Sequence, residues 1–228
     1  MASLLIVVEG KTEQEFVRLL LGPWLEGAGF ERVEPRLLKP PGGGICSWLR
    51  AKREITNHLK GHPGAFVTTM FDFYAMPVAK QNAWPGRVEA RKMNGAANKG
   101  AYVQSAVARE IIDAMGSRFN SRRFLPFVTM HEFEGLLFSD CAAIGRLAEN
   151  ADVARLEAVR KRLDSPEDIN ESPSGAPSKW LDRLVPGYDK ALHGPLIALE
   201  TGLDRIRAEC PHFHSWLTKL EALARSRS

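Results

Sequence analysis

The sequence predicts an α/β domain with a largely parallel sheet flanked by helices, followed by a helical C-terminal part. Two observations carry this expectation. First, short apolar, β-branched runs recur as SLLIVV (3–8), AFVTTMF (65–71) and FLPFVTM (124–130). They have the length and continuous hydrophobicity of strands buried on both faces. Second, the stretches between them carry helical spacing, and strands alternating with helices build parallel sheets. Beyond residue 140 no convincing strand pattern remains. The expected division is therefore 1–140 for the α/β domain and 141–228 for a helical extension packed on it.

Taken in order, SLLIVV is the first strand. Thr12 is the expected N-cap of a helix reaching about Leu25, with Glu15 three residues on. ERVEPRLL (31–38) is a weaker strand, which Pro35 pushes to an edge because proline has no N–H to donate. PPGGG (40–44) is a loop, and a helix follows over about 46–60. AFVTTMF ends at Asp72, and a non-helical loop with Pro77 and Pro85 comes next. Val103, Val107, Ile111, Ile112 and Met115 mark a helix over about 101–116. FLPFVTM is the third strong strand, and HEFEGLLF (131–138) starts another helix. The last part reads as helices over about 151–163, 177–184, 195–208 and 212–225, with the loop SPEDINESPSGAPS among them.

Composition narrows the function. At 228 residues, 44% hydrophobic and 25% charged, the chain can build a real core. No run approaches the roughly 18 apolar residues of a membrane span. The start, MASLLIVVEGKTE, has no basic n-region and an apolar stretch of only about six residues, unlike a signal peptide. The expected location is the cytoplasm, with no membrane partner. Cys46, Cys141 and Cys210 are widely separated and form no CxxC pair, which argues against a zinc knuckle or a disulfide framework. The net charge is +4, but residues 87–123 hold eight basic residues against three acidic ones, a local excess of +5. Such a face suits a phosphate polymer, and Arg91, Lys92 and Lys99 are its candidate contacts.

The candidate chemistry lies at strand ends. Ligands of open parallel sheets bind outside the carboxyl ends of the strands. Acids follow three of them: Glu9, Asp72, and Glu132 with Glu134. Hard divalent cations such as Mg2+ take carboxylate and phosphate oxygens, so this set has the makings of a metal-dependent phosphodiesterase. If 131 onwards is helical, Glu132 and Glu134 point to different faces, and only one of them reaches the site. Gly10-Lys11-Thr12 lacks the first glycine and the spacing of a nucleotide-cradling loop, although Lys11 at a helix N-terminus suits a phosphate. In the second half, Lys179 opens a helix, and Lys190 and His193 sit in YDKALHG. A lysine aimed into the crevice would stabilise charge building on a phosphoryl transition state. CPHFHSWL has an aromatic helix-packing pattern and no third metal ligand. No Ser-His-Asp or Cys-His arrangement can be defended.

VEGKTE after a first hydrophobic strand, with an acid ending a later strand in MFDFY, resembles the Toprim domain shared by topoisomerases, primases and OLD-type nucleases. The longer ordered set is VEGKTE, MFDFYAMP, HEFEGLLFSD, SPEDINESPSGAPSK, YDKALHG and CPHFHSWL. It is similar, over nearly the whole chain, to the bacterial Toprim-related domain-of-unknown-function family numbered 4276. The resemblance implies that Glu9 is a general acid/base or metal ligand and that Asp72 is the first acid of an Asp-x-Asp motif. Tyr74 stands where the second acid would be, so one ligand is missing; Glu132, Glu134 or Glu13 would replace it. It also implies Mg2+ or Mn2+ as cofactor, DNA or RNA as substrate, and an ABC-type ATPase partner in anti-phage defence. The expected activity is a nuclease with Glu9, Asp72 and Lys179 catalytic and Glu9, Asp72, Glu132 and Glu134 at the metal. The alternative is a catalytically silent module that binds the ATPase or nucleic acid without cutting.

Overall fold

Parallel pairing runs through the whole sheet in a computed structural model that describes residues 2–38, 46–79, 81–169 and 174–226. The strands are β1 (Ser3–Val8), β2 (Arg32–Leu37), β3 (Phe66–Asp72), β4 (Phe124–Leu125) and β5 (Val128–Thr129). Their order is β2-β1-β3-β4, with β5 pairing further along β3. The α/β architecture with a helical C-terminal part is as the sequence predicts. Pro35 sits opposite Ile6 on the edge strand, where a missing N–H breaks no ladder on the open side. Leu4, Ile6, Val7 and Val8 are fully buried, each contributing about 1.5–3 kcal/mol of hydrophobic stabilisation.

The helices are α1 (Lys11–Phe16), α2 (Gly22–Gly27), α3 (Trp48–Gly61), α4 (Arg87–Ala90), α5 (Ala96–Met115), α6 (Cys141–Leu147), α7 (Val153–Arg160), α8 (Pro177–Leu184), α9 (Lys190–Thr201), α10 (Leu203–Glu209) and α11 (Pro211–Arg225). Strand alternation sorts two cores. Leu5, Val7, Val67 and Phe71 face α3 and α5, with Ile55, Val103 and Ile111. Leu4, Ile6, Val8 and Met70 face the other way, with Phe16, Ile197, Phe213 and Leu217. Helices after residue 140 thus share one core with the first strand. On that side Trp216 of α11 stacks on Phe127, ring centroids 4.2 Å apart, and donates its indole N–H to the Thr68 hydroxyl at 3.0 Å.

Four details differ from the sequence reading. Gly10, not Thr12, is the N-cap of α1, and the carboxylate that reaches back to its N–H (2.9 Å) belongs to Glu13 rather than Glu15. That helix continues into α2 through a π-helical segment, Val17–Leu21. The run 124–130 is not one strand: Pro126 cannot donate, and the Thr69 hydroxyl bonds both the N–H and the carbonyl of Phe127, taking the place of ladder bonds. HEFEGLLF forms a 3-10 helix (Phe133–Ser139) after His131 turns the chain at φ 61°. The helix expected over 195–208 begins at Lys190 and is divided at Gly202, whose φ of 79° ends α9 and starts α10. The loop predicted at 40–44 lies outside the described residues, as do residues 170–173 of the long C-terminal loop.

Candidate active site

Because the strands run parallel, their carboxyl ends meet on one edge. β1 delivers Glu9, β3 ends on Asp72, and the chain leaving β5 turns at His131 into Glu132 and Glu134. Asp72 is opposite Thr129 in register, and its N–H points to Glu9 Oε2 at 3.4 Å. The edge therefore gathers Glu9, Asp72 and Glu134, with Glu13 behind them on the first turn of α1.

Glu132 and Glu134 part company. Glu132 accepts the Ser178 N–H at 3.0 Å and so holds the start of α8. Glu134 is fully buried and accepts from the Lys190 ammonium, 3.0 Å from its Oε2. The same ammonium lies 3.9 Å from Asp72 Oδ2. Asp189 caps α9 by accepting the Leu192 N–H, and the Thr12 hydroxyl donates to the Lys190 carbonyl at 3.4 Å. These two contacts fix the first residue of α9 over the sheet edge.

The electrostatics follow from this crowding. Burial raises the Asp72 pKa well above its ordinary value; Lys190 opposes the rise, and Glu13, Glu9 and Glu134 add to it. Burial likewise raises Glu134 against the pull of Lys190. Burial disfavours the Lys190 ammonium, but Asp72, Glu134 and Glu13 outweigh that and raise its pKa. The Tyr188 phenol is raised by burial and then by Glu134.

The donor set is carboxylate oxygen, the ligand type that Mg2+ and Mn2+ take. Asp72 Oδ1 and Glu134 Oε1 are buried and, among the described residues, have no hydrogen-bond partner. Both features fit a cation. Among the described residues, however, no group of three or more His, Cys, Asp or Glu side chains is arranged to hold a metal ion. An incoming cation would have to draw these carboxylates together and compete with Lys190.

Other expected residues lie elsewhere. The Lys179 ammonium is on the surface, 3.1 Å from Asp182 one turn along α8. Lys11, Arg91 and Lys92 are exposed, and Lys99 is partly so. His193 Nδ1 accepts the Asp189 N–H at 2.8 Å, a structural role at the start of α9. A cavity of about 590 Å3 beside Cys141, Arg160, Lys161 and Arg205 is lined by residues outside the acid cluster. Its cations are already paired, Arg160 and Arg205 to Glu209 and Lys161 to Glu157.

The model of one protein family, described as Domain of unknown function (DUF4276), matches residues 8–221. The chain belongs to this family. The matched DUF4276 span runs from the end of β1 through most of α11, so it takes in every member of the acid cluster. No curated protein and no solved structure matches the chain. Among the described residues no helix is long and apolar enough to cross a membrane.

Proposed function

We propose that this DUF4276 chain is a divalent-metal-dependent nuclease of Toprim type that hydrolyses phosphodiesters at the acid edge. The observation that carries the reading is the convergence of Glu9, Asp72 and Glu134 on one edge, with two buried carboxylate oxygens that lack partners among the described residues. Asp72 and Glu134, with Glu9, are the residues that would hold Mg2+ or Mn2+. When bound, the ion supplies Lewis-acid activation of the phosphate and of the attacking water. Glu9 is half-buried rather than sealed, which suits a carboxylate that moves a proton as general base. Lys190, not Lys179, is the lysine at the edge. Its ammonium balances the acids and would stabilise charge on the phosphoryl group. Lys11 and the basic residues Arg91, Lys92 and Lys99 would guide the polymer.

Role-specific substitutions test this reading. Glu9→Ala and Asp72→Ala should abolish cleavage while the purified variants keep a cooperative melt, and unchanged cleavage by either would remove the assignment. Glu132→Ala, by contrast, should destabilise the start of α8 more than it affects cleavage.

A second reading has its own support: Tyr74 in place of a second acid, and a lysine already bound to the carboxylates. On that reading the chain is a silent module that docks on an ABC-type ATPase in anti-phage defence, or holds nucleic acid. Its binding would be equal with and without chelator.

A further inference from the structure

We infer that the surface carrying Tyr74 and Tyr102 binds an unpaired nucleic-acid strand, its bases stacked on the two phenol rings and its phosphates on the cations of the helices beside them. The inference rests on the nuclease reading only in naming the polymer brought to Asp72.

Tyr74 is two residues beyond Asp72. Its N–H is tied to the His131 carbonyl at 3.0 Å, yet its side chain turns outward and the residue is 43% exposed. Tyr102, on α5, is 39% exposed. The two are joined by α4. The Tyr102 ring packs so closely on Gly86 that a Cβ there would meet it at 3.1 Å. The next residue, Arg87, donates to the Phe73 carbonyl at 2.9 Å and stacks on the Phe73 ring, and Phe73 precedes Tyr74. The Gly86–Arg87 step thus links the helix that carries Tyr102 to the residue before Tyr74.

Exposed and partly exposed cations stand on α5 and at the end of α4, the two helices next to the rings. Lys99 and Arg109 stand three residues before and seven after Tyr102, on the same face of α5. Arg91 and Lys92 are exposed where α4 ends. Among the described residues none of these four pairs with a carboxylate.

Exposed aromatics amid unpaired cations match the chemistry of single strands, whose bases offer free π-faces and whose phosphates need neutralising. In a duplex those faces are stacked on one another, and a tyrosine reaches them only after unstacking. An apolar protein partner would not call for four unpaired cations on the helices beside two exposed rings.

The test is fluorescence anisotropy in EDTA with a labelled 20-nucleotide DNA strand, the same strand as RNA, its blunt duplex, and an abasic strand of equal length. Wild type should bind the ordinary strands more tightly than the duplex or the abasic strand, and the DNA and RNA arms show which sugar is preferred. Tyr74→Ala and Tyr102→Ala should each weaken single-strand binding by roughly 5- to 150-fold, with Tyr→Phe restoring it. Arg91→Gln and Lys92→Gln should each lower the salt dependence by about one phosphate contact. Equal binding of abasic or duplex probes, no single-strand binding, or alanine variants that bind like wild type would overturn the inference. Because no metal is present, a failure here is separate from a failure of the nuclease reading, which the cleavage assays decide.

Discussion

The Lys190 ammonium lies 3.0 Å from Glu134 Oε2, joining the first residue of α9 to a fully buried acid behind the edge of the sheet. This contact spans 56 residues of sequence and ties the C-terminal helices to the candidate active site. It also places one cation among the acids.

Replacing that cation should separate metal binding from catalysis. Lys190→Met leaves Glu134 buried without its partner, so the variant should melt lower in chelator. It should bind Mn2+ at least as tightly as wild type, because a competing charge is gone, yet lose cleavage. Isothermal titration with Mn2+ alone, alongside a cleavage assay, checks both halves. Weaker Mn2+ binding by the variant would contradict the competition.

Metal should stabilise the fold through Asp72. At a hundredfold excess over Kd, a ligand of the native state adds about 2.7 kcal/mol, enough for a rise of several degrees in Tm. Asp72→Asn should abolish the Mn2+-induced rise. In EDTA the same variant should melt no lower than wild type, since burial already disfavours the Asp72 carboxylate. Differential scanning calorimetry with and without Mn2+ reads both effects.

Away from the site, Glu167 should give stability a distinct pH dependence. Burial pushes its pKa to about 7 against the pull of the His212 and Phe213 N–H groups, which it accepts at 2.8 and 2.9 Å. A raised carboxylate pKa means that the folded state holds the proton more tightly than the unfolded one. The contribution is therefore present below about pH 4.5 and lost as pH rises through about 7, an effect of about 3 kcal/mol. His212 works in the opposite sense: burial lowers its pKa to about 4, so its contribution holds above about pH 6.5 and is lost as pH falls towards 4. Urea unfolding of wild type and Glu167→Gln between pH 4.5 and 8 should isolate the first term as the changing difference between the two proteins.

Gly100 is a packing requirement. A Cβ there would sit 2.5 Å from His212 Nε2 and 2.9 Å from Met130 Sδ, both held in the buried contact between α5, β5 and α11. Gly100→Ala should destabilise by about 1–3 kcal/mol, as overpacking does, despite alanine's better helix propensity. A denaturant midpoint equal to that of wild type would show that this contact yields without strain.

The fold was legible in the sequence wherever a local pattern sufficed. SLLIVV and AFVTTMF are strands because they are short, apolar and β-branched, and their following acids meet because parallel strands share an edge. Part of what escaped depends on partners distant in sequence, and part on a choice between near-equivalent local partners. The break of the 124–130 run at Pro126 is satisfied by a threonine of β3. Gly10 with Glu13 and Thr12 with Glu15 have the same three-residue spacing, so the local pattern suits either cap of α1. On sequence, Lys179, which opens a predicted helix, is taken over Lys190, which is left outside the helix expected from 195; in the structure that helix begins at Lys190. Asp182, three residues on, holds Lys179 at the surface, whereas α9 carries Lys190 to Glu134. Divergence of Glu132 and Glu134 is expected only if the chain turns helical at 131, and which of them reaches the site is left open; the 3-10 turn after His131 takes Glu134 to Lys190 and Glu132 to the Ser178 N–H.

The central claim is metal-dependent phosphodiester cleavage at Asp72. The direct measurement is incubation of purified wild type and Asp72→Ala with single-stranded DNA, supercoiled plasmid and total tRNA in Mg2+, Mn2+ or EDTA. The account predicts cutting of at least one polymer by wild type with metal, abolished by EDTA and by the substitution. Cutting that survives either change, or no cutting of any polymer under any condition, would contradict it.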